Sequence, residues 1–268
     1  MKSIDEIKAR INNDFNELLS SSRDLLQIAN KIMIKMNDED LLHARSKPFE
    51  KCAAILFGEA YGRFLSIKML CEEGMVRCAL IILRSLMNLF FIFHWIICED
   101  VEKRDERSRR YLGWAWKMWQ NLINEAADNY DKEFIEELKN NLAEVDHLYK
   151  FRKKGKLVEA KHWHEPISIY KMAKNAGLSE HYEQGYKALS WIDHLDPIAT
   201  LPRAQTGILK FDPDYDPDSD KQYFFQAILL NLSYFRNICQ SMTEIFNLPM
   251  KNDLVKFADL IKNFEKRS

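Results

Sequence analysis

The chain has 268 residues, 47% of them hydrophobic, and 39 Lys and Arg against 40 Asp and Glu give a formal net charge of −1. That much apolar sequence can fill a sizeable core, and the balanced charge excludes a global basic field drawing the molecule to nucleic acid, though not a local basic patch. Only 8 Gly and 7 Pro leave few breaks, which favours long helices over many short strands.

Taken in chain order, the apolar periodicity predicts helices almost throughout. Ser3 and Glu6 form a capping box, and Ile7, Ile11, Phe15, Leu18, Leu25, Ala29 and Ile32 give a helical stripe over about 4–36. A polar connection, 37–48, leads to a second helix at about 49–73 that Gly74 ends. The third helix, about 75–98, is apolar on nearly all sides and belongs at the centre of a bundle. Its uncharged run from Ser85 to Cys98 is only 14 residues long and is interrupted by Asn88 and His94, whereas a span needs about 20 apolar residues, so no membrane is expected. Helices at about 101–127 and 132–151 follow, the first with Leu112, Trp116, Trp119 and Ile123 inward, the second with Phe134, Leu138, Leu142, Val145 and Leu148.

A basic loop, Arg152-Lys153-Lys154-Gly155-Lys156, comes next, then the irregular His162-Trp163-His164-Glu165-Pro166. A short helix from Ser168 to Ala176 ends at Gly177, and Ser179 is placed to cap the helix that carries Tyr186, Ser190 and His194. The run 196–220 holds four prolines and reads as a loop; helices at about 222–246 and 251–265 close the chain. No strand alternation and no internal repeat stand out. The fold class is therefore all-α, an antiparallel helical bundle with additional C-terminal helices. One domain over 1–268 is expected, divided into an N-terminal helix and connection (1–47), a core (48–246) and a C-terminal helix (247–268).

Five cysteines, at 52, 71, 78, 98 and 239, form no CxxC pair and mostly lie in apolar helical patterns. They fit reduced, buried small hydrophobes of a cytoplasmic protein, and Met1-Lys2-Ser3-Ile4-Asp5-Glu6 has no apolar signal-peptide core.

The polar residues in apolar surroundings are the candidates for a site. Arg84 sits in Leu80-Ile81-Ile82-Leu83-Arg84-Ser85-Leu86, and a buried guanidinium must be paired. Glu59 and Asp193 are its candidate partners; an anionic ligand is the functional alternative, a structural ion pair the plain one. Tyr186, Ser190 and His194 lie four residues apart on one helix face. His194 can act as acid or base, or close a helix end. A Ser190–His194 pair suggests acyl transfer, but no Gly-rich nucleophile elbow accompanies it. His162 and His164 would need two further ligands to hold zinc, so no metal is assigned. Asp212, Asp214, Asp216, Asp218 and Asp220 lack the Gly and Glu of a calcium loop. Trp163, in an irregular segment, can lid a pocket or anchor the loop. Arg104, Arg107, Arg109 and Arg110 precede several aromatics, but interleaved acids read as a solvated face followed by a core stripe. No cofactor is expected.

Together, Arg84-Ser85-Leu86, Trp163, the helix from Met172 to Gly177 and the Tyr186–Ser190–His194 helix end resemble a prokaryotic family of unknown function, DUF5677, over roughly 50–246. The resemblance implies an all-helical fold and assigns no activity. In that pattern a Glu usually stands four residues after the Arg; this chain has Asn88 there. The layout is also broadly similar to HEPN domains, helical bundles that include metal-independent ribonucleases of toxin and defence systems, acting as dimers through Arg-x(4–6)-His. No His here has an Arg at that spacing; Lys187 stands seven residues before His194. Two functions follow. One is an interaction or ligand-sensing module with Arg84, Tyr186, Trp163, Asp193 and Glu59 as ligand-binding residues. The other is a HEPN-like ribonuclease with His194, Ser190, Arg84 and Lys187 as catalytic residues. The expected partners are a second copy or another protein, with RNA as a further candidate.

Overall fold

The computed structural model describes residues 4–38, 41, 46–126, 130–187, 189–190 and 221–265. Its helices are α1 (Ile4–Asp38), α2 (Pro48–Glu72), α3 (Val76–Phe93), α4 (Arg104–Ala126), α5 (Lys132–Val145) and α6 (Ile169–Asn175). Then come α7, described over 179–187 and 189–190, α8 (Lys221–Ile245) and α9 (Lys251–Glu265). A π-helical turn, His94–Cys98, prolongs α3, and His181–Tyr186 of α7 is also π-wound. The protein is an all-α antiparallel bundle.

Local chemistry explains most boundaries. Pro48 opens α2, where a missing N–H costs nothing, and the backbone N–H of Lys47 donates to Glu50 at 2.7 Å. Gly74, at φ 79°, turns the chain after α2, and Met75 N–H closes back onto Leu70 C=O at 2.8 Å. The N–H of Tyr182 donates to Leu178 C=O, so α7 is entered at Leu178, one residue before the expected cap at Ser179.

The centre of the bundle is α2, α3 and α8, packed extensively on one another, with α1 and α9 laid against α8. Phe235 of α8 stacks on Phe64 (4.4 Å between centroids) and Phe57 (5.9 Å), and Phe224 stacks on Phe15 of α1 at 4.1 Å. Each such ring removes a large apolar area from water, worth roughly 25 cal/mol per Å². Val76–Cys98 is long and apolar enough to cross a membrane by composition, yet 61% of its apolar 18-residue window is buried inside the molecule, as expected of a bundle's central helix.

One part departs from the expected pattern. The helix expected to reach residue 151 stops at Val145. A 3₁₀ turn, Asp146–Tyr149, brings Tyr149 inward, where its hydroxyl donates to Arg110 C=O at 2.8 Å. The chain then forms a β-hairpin, β1 (Lys150–Lys153) paired antiparallel with β2 (Lys156–Glu159). The basic loop is its turn: Lys154 and Gly155 both have positive φ, 51° and 77°, the backbone a two-residue hairpin connection requires.

Candidate functional site

Helices α3 and α7 run antiparallel, and the contacts between them define a seam. At one end Arg84 lies over the Tyr186 ring, 5.0 Å from its centroid, with Nη2 3.4 Å from the phenol oxygen. The attraction is that of a cation for an aromatic face. In the middle, Gly185 lets α7 approach closely: a Cβ there would lie 3.0 Å from Met87 Cε. Further along, Phe91 meets Tyr182, which stacks on Tyr186 at 4.9 Å. His181 Nδ1 and Tyr234 OH of α8 are hydrogen-bonded at 2.8 Å, and Tyr234 packs on Phe90. Burial pushes the Tyr234 phenol well up, so it stays protonated.

Beyond Phe90 the seam opens into a cleft of about 330 Å³. Phe90, Phe93 and Leu178 supply apolar wall; His94, Asn237, Gln240, Ser241 and Glu244 supply polar groups. Cys98 also lines it, its sulfur 3.5 Å from Ser241 Oγ, and burial pushes that thiol up, so it is not a thiolate nucleophile at neutral pH. Gln240 Nε2 donates to Glu244 at 2.9 Å and Arg236 to Asn237 Oδ1 at 2.9 Å, which fixes two of the polar groups in place.

His94 is the distinctive member. Its Nδ1 is buried and has no hydrogen-bond partner among the described residues. Burial lowers its pKa, with Glu99 opposing, so the ring is neutral at pH 7. It belongs to the π-helical turn, closed by Glu99 N–H to His94 C=O at 3.0 Å, and such turns widen a helix where a side chain must be re-aimed. Glu99 itself is a latch: it accepts from Asn175 at 3.0 Å and lies 3.4 Å from Arg107, whose guanidinium covers the Trp95 ring.

The expected site residues are only partly gathered. Arg84 and Tyr186 meet, and Ser190 follows half-buried on the same helix. Glu59 does not serve Arg84; it pairs with Arg63, one turn away, at 2.6 Å, because a neighbour on the same exposed helix face needs no desolvation. Lys187 is exposed and pairs with Glu183. Asp193 and His194 lie outside the described residues. Trp163 anchors its loop, wedged against Trp95 and Tyr111, while the carbonyls of Trp163 and Glu165 accept from Arg110. His164 Nδ1 bonds Ile167 C=O at 2.6 Å. Among the described residues no three His, Cys, Asp or Glu side chains gather as a metal site would need.

The family profile described as a family of unknown function (DUF5677) matches residues 50–203, more than half of the sequence. The chain belongs to that family. The match takes in α2 to α7 and stops before α8, so the half of the cleft contributed by Asn237, Gln240, Ser241 and Glu244 lies beyond it. No curated protein matches the chain, and no solved structure does.

The cleft residues were within reach of the sequence. Asn237, Gln240, Ser241 and Glu244 fall at i, i+3, i+4 and i+7, a polar stripe along one face of the C-terminal half of α8. His94 and Cys98 are four apart in the apolar run, and there they passed as an interruption and a small hydrophobe.

Proposed function

We propose that this protein is a ligand-sensing module and that the cleft between the end of α3 with its π-helical turn, the α6–α7 turn and α8 is its binding site. The supporting observation is His94. His94 lines the cleft, and its Nδ1 is one of several buried polar atoms without a hydrogen-bond partner among the described residues; a ligand group that displaces the wall enough to reach it would recover about 1–3 kcal/mol. The cleft offers a small ligand aromatic wall from Phe90 and Phe93 together with several hydrogen-bonding groups. With Glu244 and a neutral His94 on its walls, the cleft suits a ring-bearing ligand whose polar end is neutral or cationic.

The competing reading, a metal-independent ribonuclease, has less support. Lys187 is engaged by Glu183, and the guanidinium of Arg84 rests on Tyr186. Benzamide, benzamidine and benzoate, titrated separately while the melting temperature is followed, test the sensor. Benzamide and benzamidine should raise it, benzoate should not, and Ser241→Met, which fills the cleft, should abolish the shift. No shift with any probe, or a shift indifferent to Ser241→Met, overturns the reading. Incubation with total RNA in EDTA tests the competitor: RNA left intact is expected, and cleavage lost in His194→Ala would replace the sensor with the nuclease.

A further inference from the structure

Among the described residues the hairpin is built unlike any other element. Neither strand has a buried residue; only Phe151 and Val158, a cross-strand pair, are half-buried. Yet the hairpin is firmly shaped, with four paired residues per strand, a positive-φ turn, and Ala160 N–H extending the ladder to Tyr149 C=O at 2.7 Å. A two-stranded ribbon without a core is marginal by itself, so its shape serves something other than burial.

Its charges are divided sharply. At the base every cation has a carboxylate: Lys150 pairs with Asp146 at 2.5 Å, and Lys117 reaches both Glu159 and Asp146. At the tip Arg152, Lys153, Lys154 and Lys156 are all exposed, and none forms an ion pair among the described residues. Lys153 and Lys156 stand directly opposite each other in the register, a like-charge cross-strand pair that costs the isolated hairpin stability. Lys154 adds a non-glycine positive φ in between. Four uncompensated cations on one short tip, in a chain of net charge −1, are arranged for an external polyanion.

We propose that this hairpin is a finger that contacts the phosphate backbone of double-stranded DNA. The shape favours that polyanion. The major groove of B-form DNA, about 12 Å wide, admits a two-stranded ribbon, whereas that of A-form RNA is too narrow. A lipid surface would be met by several apolar side chains beside the cations, and the tip offers only Leu157, 68% exposed. Three lysines make point-charge contacts to phosphate and Arg152 a forked one; contacts to phosphate carry no base code, so binding is independent of sequence.

The test is fluorescence anisotropy of the full chain with a labelled duplex of about 20 base pairs, long enough for a four-phosphate footprint. Four released counterions predict a slope of log affinity against log salt near −3.6, a weakening of about 150-fold between 50 and 200 mM salt. Lys153→Gln/Lys154→Asn/Lys156→Gln should bring the slope to about −0.9, with an unchanged circular dichroism spectrum. Lys154→Asn alone, which keeps a residue tolerant of positive φ, should lower it by about one. Absence of DNA binding, binding indifferent to the triple variant, or tighter binding to duplex RNA or to phosphatidylserine vesicles each overturns the proposal.

Discussion

The bundle and the arm formed by the end of α4, α5 and the hairpin spend their residues in opposite ways. The bundle merges α1, α2, α3, α6, α7, α8 and α9 into one apolar core, whereas Ile123, Leu138, Tyr149 and Ala160 are buried in the arm apart from that core. In the bundle polar groups are drawn inside, as with His94 and Asn231; in the arm they are held out on a ribbon. A site in the first depends on shape and desolvation, while a contact by the second depends on charge and salt. Substitutions should therefore sort by region: loss of stability in the bundle, loss of surface attraction at the arm's tip.

The sharpest contrast comes from Phe235, fully buried among Phe57, Tyr61 and Phe64. Phe235→Ala should cost about 3–5 kcal/mol in urea unfolding, a loss large enough to unfold many domains. A cost below about 1 kcal/mol would mean the α2–α8 packing is not the centre of the fold. Next is Gly113, the junction between the regions. A Cβ there would come within 2.9 Å of Tyr149 Oη and 3.0 Å of Val145, so Gly113→Ala should cost about 1–3 kcal/mol and speed amide exchange in the arm before the bundle. Uniform acceleration would show that the two regions unfold as one.

A smaller effect concerns pH. Burial lowers the His94 pKa below its ordinary 6.5, so the unfolded chain binds the proton more readily than the folded one. Stability linked to His94 is then present above pH 6.5 and is lost as pH falls through the lowered value. Urea midpoints at pH 5.5 and 7.5 should differ less in His94→Phe than in the parent; an equal difference would detach His94 from the acid sensitivity. Smallest of all is Leu157, whose replacement by Ser should change stability by no more than about 0.5 kcal/mol and leave the bundle's melting untouched.

These regions also differ in how legible they were. The bundle's helices follow from apolar periodicity and from stops such as Gly74, because core burial imposes the 3.6-residue repeat on the sequence. The Arg84–Tyr186 contact was foreshadowed too, since a guanidinium on a central helix demands a partner. Of the two carboxylates expected to pair with Arg84, Glu59 is taken by Arg63 within one helical turn, and Asp193 lies outside the described residues. The hairpin escaped for a physical reason: strands with no buried residue carry no alternation, and its turn is Lys-Gly, without the Asn or Asp that marks such turns. The cleft escaped because its polar groups come from helices far apart in the chain, and only tertiary packing brings His94 beside Ser241.

The central claim is that the His94 ring lines a ligand cleft. Nitrogen-15 spectra of labelled histidine during a benzamidine titration test it most directly. The account predicts that the His94 signals start as those of a neutral ring at pH 7 and shift saturably with the probe, and that the shift disappears in Ser241→Met. A His94 ring already protonated at pH 7, or one unmoved while benzamidine raises the melting temperature, would contradict it.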